Sequence, residues 1–122
     1  MLRLMVAAAL VLGLAAPAIA GTSLRTENGI ASMYGGRFVG RTTASGQILD
    51  RKHLTAAHRK LPFGTRLVVT NKRNGRTVIV TVNDRGPHRK GRIIDLSPAA
   101  ARKLGMQRAG IVPVEIRIAS ER

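Results

Sequence analysis

Asp84 and Asp95 are the residues whose type and setting most directly offer chemistry. They are two of only six acidic residues in a 122-residue chain whose formal net charge is +15. Asp84 closes a β-branched run, Thr77-Val78-Ile79-Val80-Thr81-Val82, and Gly86-Pro87 turns the chain just after it. Asp95 closes a second apolar run, Arg92-Ile93-Ile94. Carboxyl groups at two strand ends, separated by one loop, can converge on a single site and exchange protons with a substrate. The competing reading pairs each of them with Arg85, Arg89 or Arg92. Asp84 shares a strand face with Val78, Val80 and Val82, which would desolvate it and make it the better acid. Asp95 sits just ahead of a helix N-terminus, whose dipole favours the charged form and the role of electrostatic stabiliser. Asp50 and His58 are candidates to hold and tune such a site. His53 and His88 read as surface residues. The histidines show no metal-ligand spacing, so no metal or other cofactor is expected.

The elements that must position these groups are short strands. Gly29 to Gly35 is a first strand candidate, closed by Gly35-Gly36. Residues 40–47 are rich in glycine, threonine and serine, the composition of a loop whose backbone and hydroxyls, Thr43 and Ser45 among them, face a ligand or solvent. Arg66–Thr70 and Thr77–Val82 flank Asn-Lys-Arg-Asn-Gly, and Asn-Gly between two apolar runs predicts a hairpin. Ser97-Pro98 reads as an N-cap followed by proline at the first helical position. Leu96, Ala100 and Leu104 then share one face of a short helix, and Gly105 stops it. Val112 to Ile118 alternates as a last strand, with Pro113 at a strand start or edge. The pattern predicts one domain, a small, mainly β barrel with one or two short helices.

Residues 1–20 carry the marks of a cleaved export signal: a basic start at Arg3, an apolar run from Leu4 to Leu14, and Ala18-Ile19-Ala20 before Gly21. The expected boundaries are a signal at 1–20, a flexible lead at 21–28, the folded domain at 29–118 and a tail at 119–122. The chain contains no cysteine. It therefore has no disulfide framework and no attachment point for a lipid at the first residue after cleavage. The expectation is a soluble protein of the periplasm or cell envelope, without a lipid anchor. Export and the scarcity of aromatic residues argue against a nucleic-acid partner. The positive charge instead suits anionic polymers of the cell envelope.

Several motifs occur together and in order. They are A-S-x-Y-G at 31–35, F-x-G-R-x-T-A-x-G at 38–46, L-T-A-A-H at 54–58, L-P-x-G-T at 61–65, N-x-x-N-G-R at 71–76, V-N-D-R-G-P at 82–87 and G-R-I-I-D-L-S at 91–97. In this order and spacing the chain resembles the rare lipoprotein A (RlpA) family over roughly residues 29 to 118. The resemblance implies a six-stranded double-psi β-barrel acting as an endolytic lytic transglycosylase. Such an enzyme cleaves the β-1,4 bond between N-acetylmuramic acid and N-acetylglucosamine, leaving 1,6-anhydro ends. It further implies peptidoglycan glycan strands as the partner, contacts with the division machinery, and a monomer.

Related barrels of expansins and of membrane-bound lytic transglycosylase A place a key aspartate at the position of Asp95, and expansins place another at Asp84. By this resemblance Asp95 is the favoured acid. The family's cleft residues fall on Gln47, Asp50 and His58, so the expected catalytic set is Asp84, Asp95, Asp50 and His58. Gln47, Tyr34, Thr43, Ser45 and Arg85 are the expected substrate-binding residues. The chain departs from the family's pattern at Gln47, where a glutamate is usual, and at Met33, where tryptophan is frequent. The alternative in a different class is a non-catalytic, expansin-like module that binds or loosens glycan.

Overall fold

The computed structural model describes residues 26–120, so the expected signal and most of the lead lie outside the described residues. Six strands close into a barrel: β1 (Thr26–Met33), β2 (Thr55–Ala57), β3 (Arg66–Asn71), β4 (Thr77–Asp84), β5 (Arg92–Leu96) and β6 (Ile111–Ser120). Their order around the barrel is β1-β5-β2-β4-β3-β6. β1 runs parallel to β5 and β2 parallel to β4, while the other four pairings are antiparallel. This is the small double-psi β-barrel expected. One helix, α1 (Pro98–Lys103), and a 3-10 turn at Gly36–Phe38 complete the elements.

Alternation places the core. Leu67 and Val69 on β3, Val80 and Val82 on β4, and Val114 and Ile116 on β6 all point inward and are buried. The β3–β4 hairpin forms where Asn74-Gly75 predicts it, with Gly75 at a φ of 78°. Ser97 caps α1 by accepting from the Ala100 N–H, and Leu96, Ala100 and Leu104 are fully buried on its inner face. Pro113 is accommodated at the start of β6. Its carbonyl faces Lys72, just past the end of β3, so the missing N–H removes no rung of the ladder.

Two boundaries differ from expectation. β1 begins at Thr26, taking in part of the predicted flexible lead, because Thr26, Glu27 and Asn28 pair with Arg117, Ile116 and Glu115. β6 likewise runs to Ser120, into the predicted tail, where Arg66 pairs with Ser120. In both places backbone pairing extends a strand beyond its apolar pattern.

Two register shifts prepare the site. Between β1 and β5, Ile30 faces Arg92 but Ala31 faces Ile94, so Ile93 is an extra residue. It packs on Gly29, where an added Cβ would sit 2.6 Å from Ile93 Cγ2. Between β2 and β4, Ala56 faces Val82 but Ala57 faces Asp84, which leaves Asn83 extra. Bulges of this kind re-aim the side chains that follow them. Asp84 follows one and Asp95 the other.

A candidate carboxylate cleft at two strand ends

Asp84 and Asp95 line one cleft of about 540 Å³, together with Tyr34, Phe38, Arg41 and His88. Among the described residues neither carboxylate forms an ion pair with an arginine, so the competing structural reading does not describe them; the close contacts between basic and acidic side chains are His53–Asp50 and His58–Glu27.

The two carboxyls have different surroundings. Asp84 Oδ1 accepts the N–H groups of Ala44 (2.8 Å) and Arg85 (2.9 Å), and Oδ2 accepts the Tyr34 hydroxyl at 2.5 Å. Three donors from three chain segments therefore fix its orientation. Asp95 has the Ser32 hydroxyl as its donor, supplied from the adjacent β1. Burial pushes the Asp95 carboxyl above its ordinary range, and the negative charge of Asp84 pushes the same way. The Ser32 bond and the charges of Arg92 and His88 oppose the shift without cancelling it. This reverses the argument from the helix dipole: β5 lies between β1 and β2, and the desolvation that follows outweighs the nearby N-terminus of α1. The Tyr34 hydroxyl is also pushed up, first by burial and then by its bond to Asp84, so it stays a proton donor.

Gly86 closes the cleft floor at a φ of 124°, a conformation that suits glycine, and an added Cβ would lie 4.0 Å from Asp95 Oδ2. Phe38 packs edge-on to Tyr34 at 6.1 Å and carries the Arg41 guanidinium over its ring at 5.9 Å. An aromatic surface is thus present although residue 33 is methionine. Ser32, Phe38, Arg41 and His88 were missed as site residues. Ser32 was discoverable, since it shares the A-S-x-Y-G motif with Tyr34, two residues further on.

Of the other expected site residues, Thr43 and Arg85 line the same cleft and the rest are placed elsewhere. Thr43 is buried and lines the cleft, but its hydroxyl is held by the Gln47 carbonyl (2.6 Å) and Ser45 Oγ (3.0 Å). Ser45 is similarly occupied within the 41–49 loop and with Asn83. Gln47 and Asp50 open onto a neighbouring groove of about 610 Å³, shared with Ile48, His53, Arg66 and Asn83. Gln47 accepts from the Asn83 amide at 3.1 Å. Asp50 accepts from the Lys52 and His53 N–H groups and from His53 Nδ1 at 2.6 Å. The His53 and Lys52 backbone donors, with the His53 ring, pull its carboxyl down to about 2.

His58 is turned away from the cleft. Its ring is buried against Glu27 and lines a third, largely apolar pocket with Leu61, Leu67, Ile116 and Ile118. Asp50 and His58, expected beside Asp84 and Asp95, thus line two other pockets of the barrel. Among the described residues no group of three or more histidine, aspartate or glutamate side chains is arranged to hold a metal ion.

A closed double-psi barrel that presents two unequal carboxyls in one open cleft defines the class: a small barrel domain with a carboxylate-lined cleft. A family model described as lytic transglycolase matches residues 26–116. The chain is 54% identical over 102 residues to a protein of Nostoc named "Probable endolytic peptidoglycan transglycosylase RlpA", covering 82% of this chain and 28% of that protein. It is 48% identical over 110 residues to the endolytic peptidoglycan transglycosylase RlpA of Pasteurella multocida, covering 82% and 37%. Among solved structures, a mutant Clavibacter michiganensis expansin in complex with cellohexaose superposes with a TM-score of 0.60 and 29% identity, over 77% of this chain and 50% of that one. The chain belongs to the RlpA family of lytic transglycosylases. It spans about a third of the length of the curated relatives it matches.

Proposed function

We propose that this chain is an endolytic peptidoglycan lytic transglycosylase, a lyase that cuts the β-1,4 bond between N-acetylmuramic acid and N-acetylglucosamine. The observation that carries this reading is the pairing, in one cleft, of a half-buried carboxyl whose proton affinity is raised by burial with a second carboxyl oriented by three donors. Asp95 donates its proton to the glycosidic oxygen as the bond to the muramic C1 breaks. Asp84 faces the positive charge that develops on the sugar. The Asp95 carboxylate then takes the proton of the same sugar's C6 hydroxyl as that oxygen closes on C1. The products are a free 4-hydroxyl and a 1,6-anhydro end, and Asp95 is again protonated. No water enters the balance, so the carboxyl spacing that sorts hydrolytic glycosidases does not govern here.

The signal-like residues 1–20 support export and removal of the signal before Gly21, with action in the periplasm or cell envelope on glycan strands. The family supports a role in wall remodelling or daughter-cell separation. Digestion of purified sacculi, followed by mass analysis, tests the activity. Anhydro-muramic ends are expected; reducing ends formed with water would point to a hydrolase. The second reading is a glycan-binding module. It is favoured by Gln47, which cannot ionise, and by the likeness to an expansin that holds a glucan chain. Binding to sacculi without any release of fragments would establish it.

A further inference from the structure

His58 ends the T-A-A-H motif yet reaches no group in the carboxylate cleft. The residue is 8% exposed and its ring is fully engaged. Nδ1 accepts the backbone N–H groups of Lys60 (3.1 Å) and Leu61 (3.2 Å), and Nε2 meets Glu27 Oε1 at 3.1 Å. Because Nδ1 is an acceptor twice over, the ring proton resides on Nε2 and is donated to Glu27. No ring nitrogen remains to carry a proton to a substrate.

What the ring does fix is the turn from His58 to Leu61, and that turn holds Arg85. Arg85 Nη1 donates to the carbonyls of His58 (3.2 Å) and Leu61 (2.8 Å), and the guanidinium lies 4.1 Å over the Phe63 ring. Its Nε and Nη2 have no partner among the described residues. Arg85 also lines the cleft, directly after Asp84, and the His58 N–H donates to the Asp84 carbonyl at 3.1 Å. The carbonyls that seat the guanidinium are thus the ends of the very turn that the imidazole ties down.

We propose that His58 is a positioning residue for Arg85: it sets the 58–61 turn that seats the guanidinium in the cleft wall, where Nε and Nη2 bind oxygen acceptors of the bound glycan strand. This rests on the reading that the cleft takes a glycan strand. A planar guanidinium anchored through one nitrogen and stacked on an aromatic ring loses little freedom when its other donors engage a ligand.

The test uses the full chain, with purified glycan strands as the probe, and measures strand affinity, KM and kcat for Arg85→Ala, His58→Ala, the double variant and His58→Asn. Arg85→Ala should raise Kd and KM about tenfold, the scale of one or two lost hydrogen bonds, with little change in kcat. His58→Ala should reproduce that loss, and the double variant should be no weaker than Arg85→Ala alone, because both remove one arrangement. His58→Asn, whose side-chain oxygen can accept the same two N–H groups, should restore wild-type affinity.

Three results overturn the proposal: a drop in kcat at unchanged KM in His58→Ala, losses that multiply in the double variant, or a folded His58→Asn that binds as poorly as Arg85→Ala. If His58→Ala does not fold, the comparison of His58→Asn with Arg85→Ala decides alone. Strand affinity is read without cleavage, so wild type that binds but releases no anhydro product sinks the lyase reading while the positioning proposal is still decided by affinity.

Discussion

The cleft of Asp84 and Asp95 and the groove of Gln47 and Asp50 share the 41–49 loop, and adjacent residues of β4 face one or the other, yet their carboxyls behave oppositely. Asp95 sits on a strand enclosed by two neighbours, and burial raises its affinity for a proton. Asp50 lies at a loop surface where two backbone N–H groups and a histidine ring lower it to about 2. An acid that must also act as a base needs an affinity near the working pH. Acidic residue type alone therefore does not select the acid; the element that carries it does.

The sharpest way to break this contrast is Asp95→Asn, which keeps shape and removes the proton. Release of anhydro ends should fall by about a thousandfold, the usual scale for losing a general acid–base group. Retained activity would transfer the acid role to another residue. The second test is pH. A carboxyl raised in the folded state stabilises the fold below its ordinary value of 3.8, and that contribution is lost as pH rises through the raised folded value. The melting temperature of Asp95→Asn should therefore gain on wild type from acidic to neutral pH, and wild-type cleavage should decline over the same rise. Equal melting curves at every pH would show that burial does not control Asp95. Asp50 has the opposite sign: its contribution is present above the ordinary range and lost as pH falls towards about 2.

In the neighbouring groove the expected effects are smaller. Asp50→Asn should cost no more than about tenfold, carried by KM, as for loss of a contact to the strand beyond the cleavage point. A loss in kcat comparable with that of Asp95→Asn would merge the two regions into one active centre. Gln47→Glu is the finest test. A glutamate keeps the acceptor for the Asn83 amide and adds a negative charge near Asp50, so turnover should rise severalfold with strand affinity nearly unchanged. If neither wild type nor Gln47→Glu releases anhydro ends, the binding-module reading replaces the lyase.

Where local chemistry decides the structure, the sequence was legible. The Asn-Gly hairpin, the Ser97 cap, the Leu96, Ala100 and Leu104 face and the convergence of Asp84 with Asp95 all follow from patterns a few residues long. What was not legible depends on distant partners. The extra residues Ile93 and Asn83 exist only as mismatches between strands far apart in sequence. The burial of Asp95 follows from its neighbours in the barrel, which the helix-dipole argument did not include. The direction of the His58 ring was set by Glu27, in a segment read as unstructured. N-x-x-N-G-R also has a use that pattern reading did not supply. The Asn71 and Asn74 amides both donate to the Leu104 carbonyl, locking the hairpin tip to the end of α1.

The place of β6 has a consequence for how this barrel can be made. It is the last strand in sequence, and it joins the first, β1, to β3. Until Ile111–Ser120 is available, both of those strands present open edges and the cylinder cannot shut. Folding of a β structure dominated by such remote pairings is slow, because long loops must close before contacts reward them. A chain emerging N-terminus first thus stays open and threadable until Ile111–Ser120 has emerged to join β1 to β3.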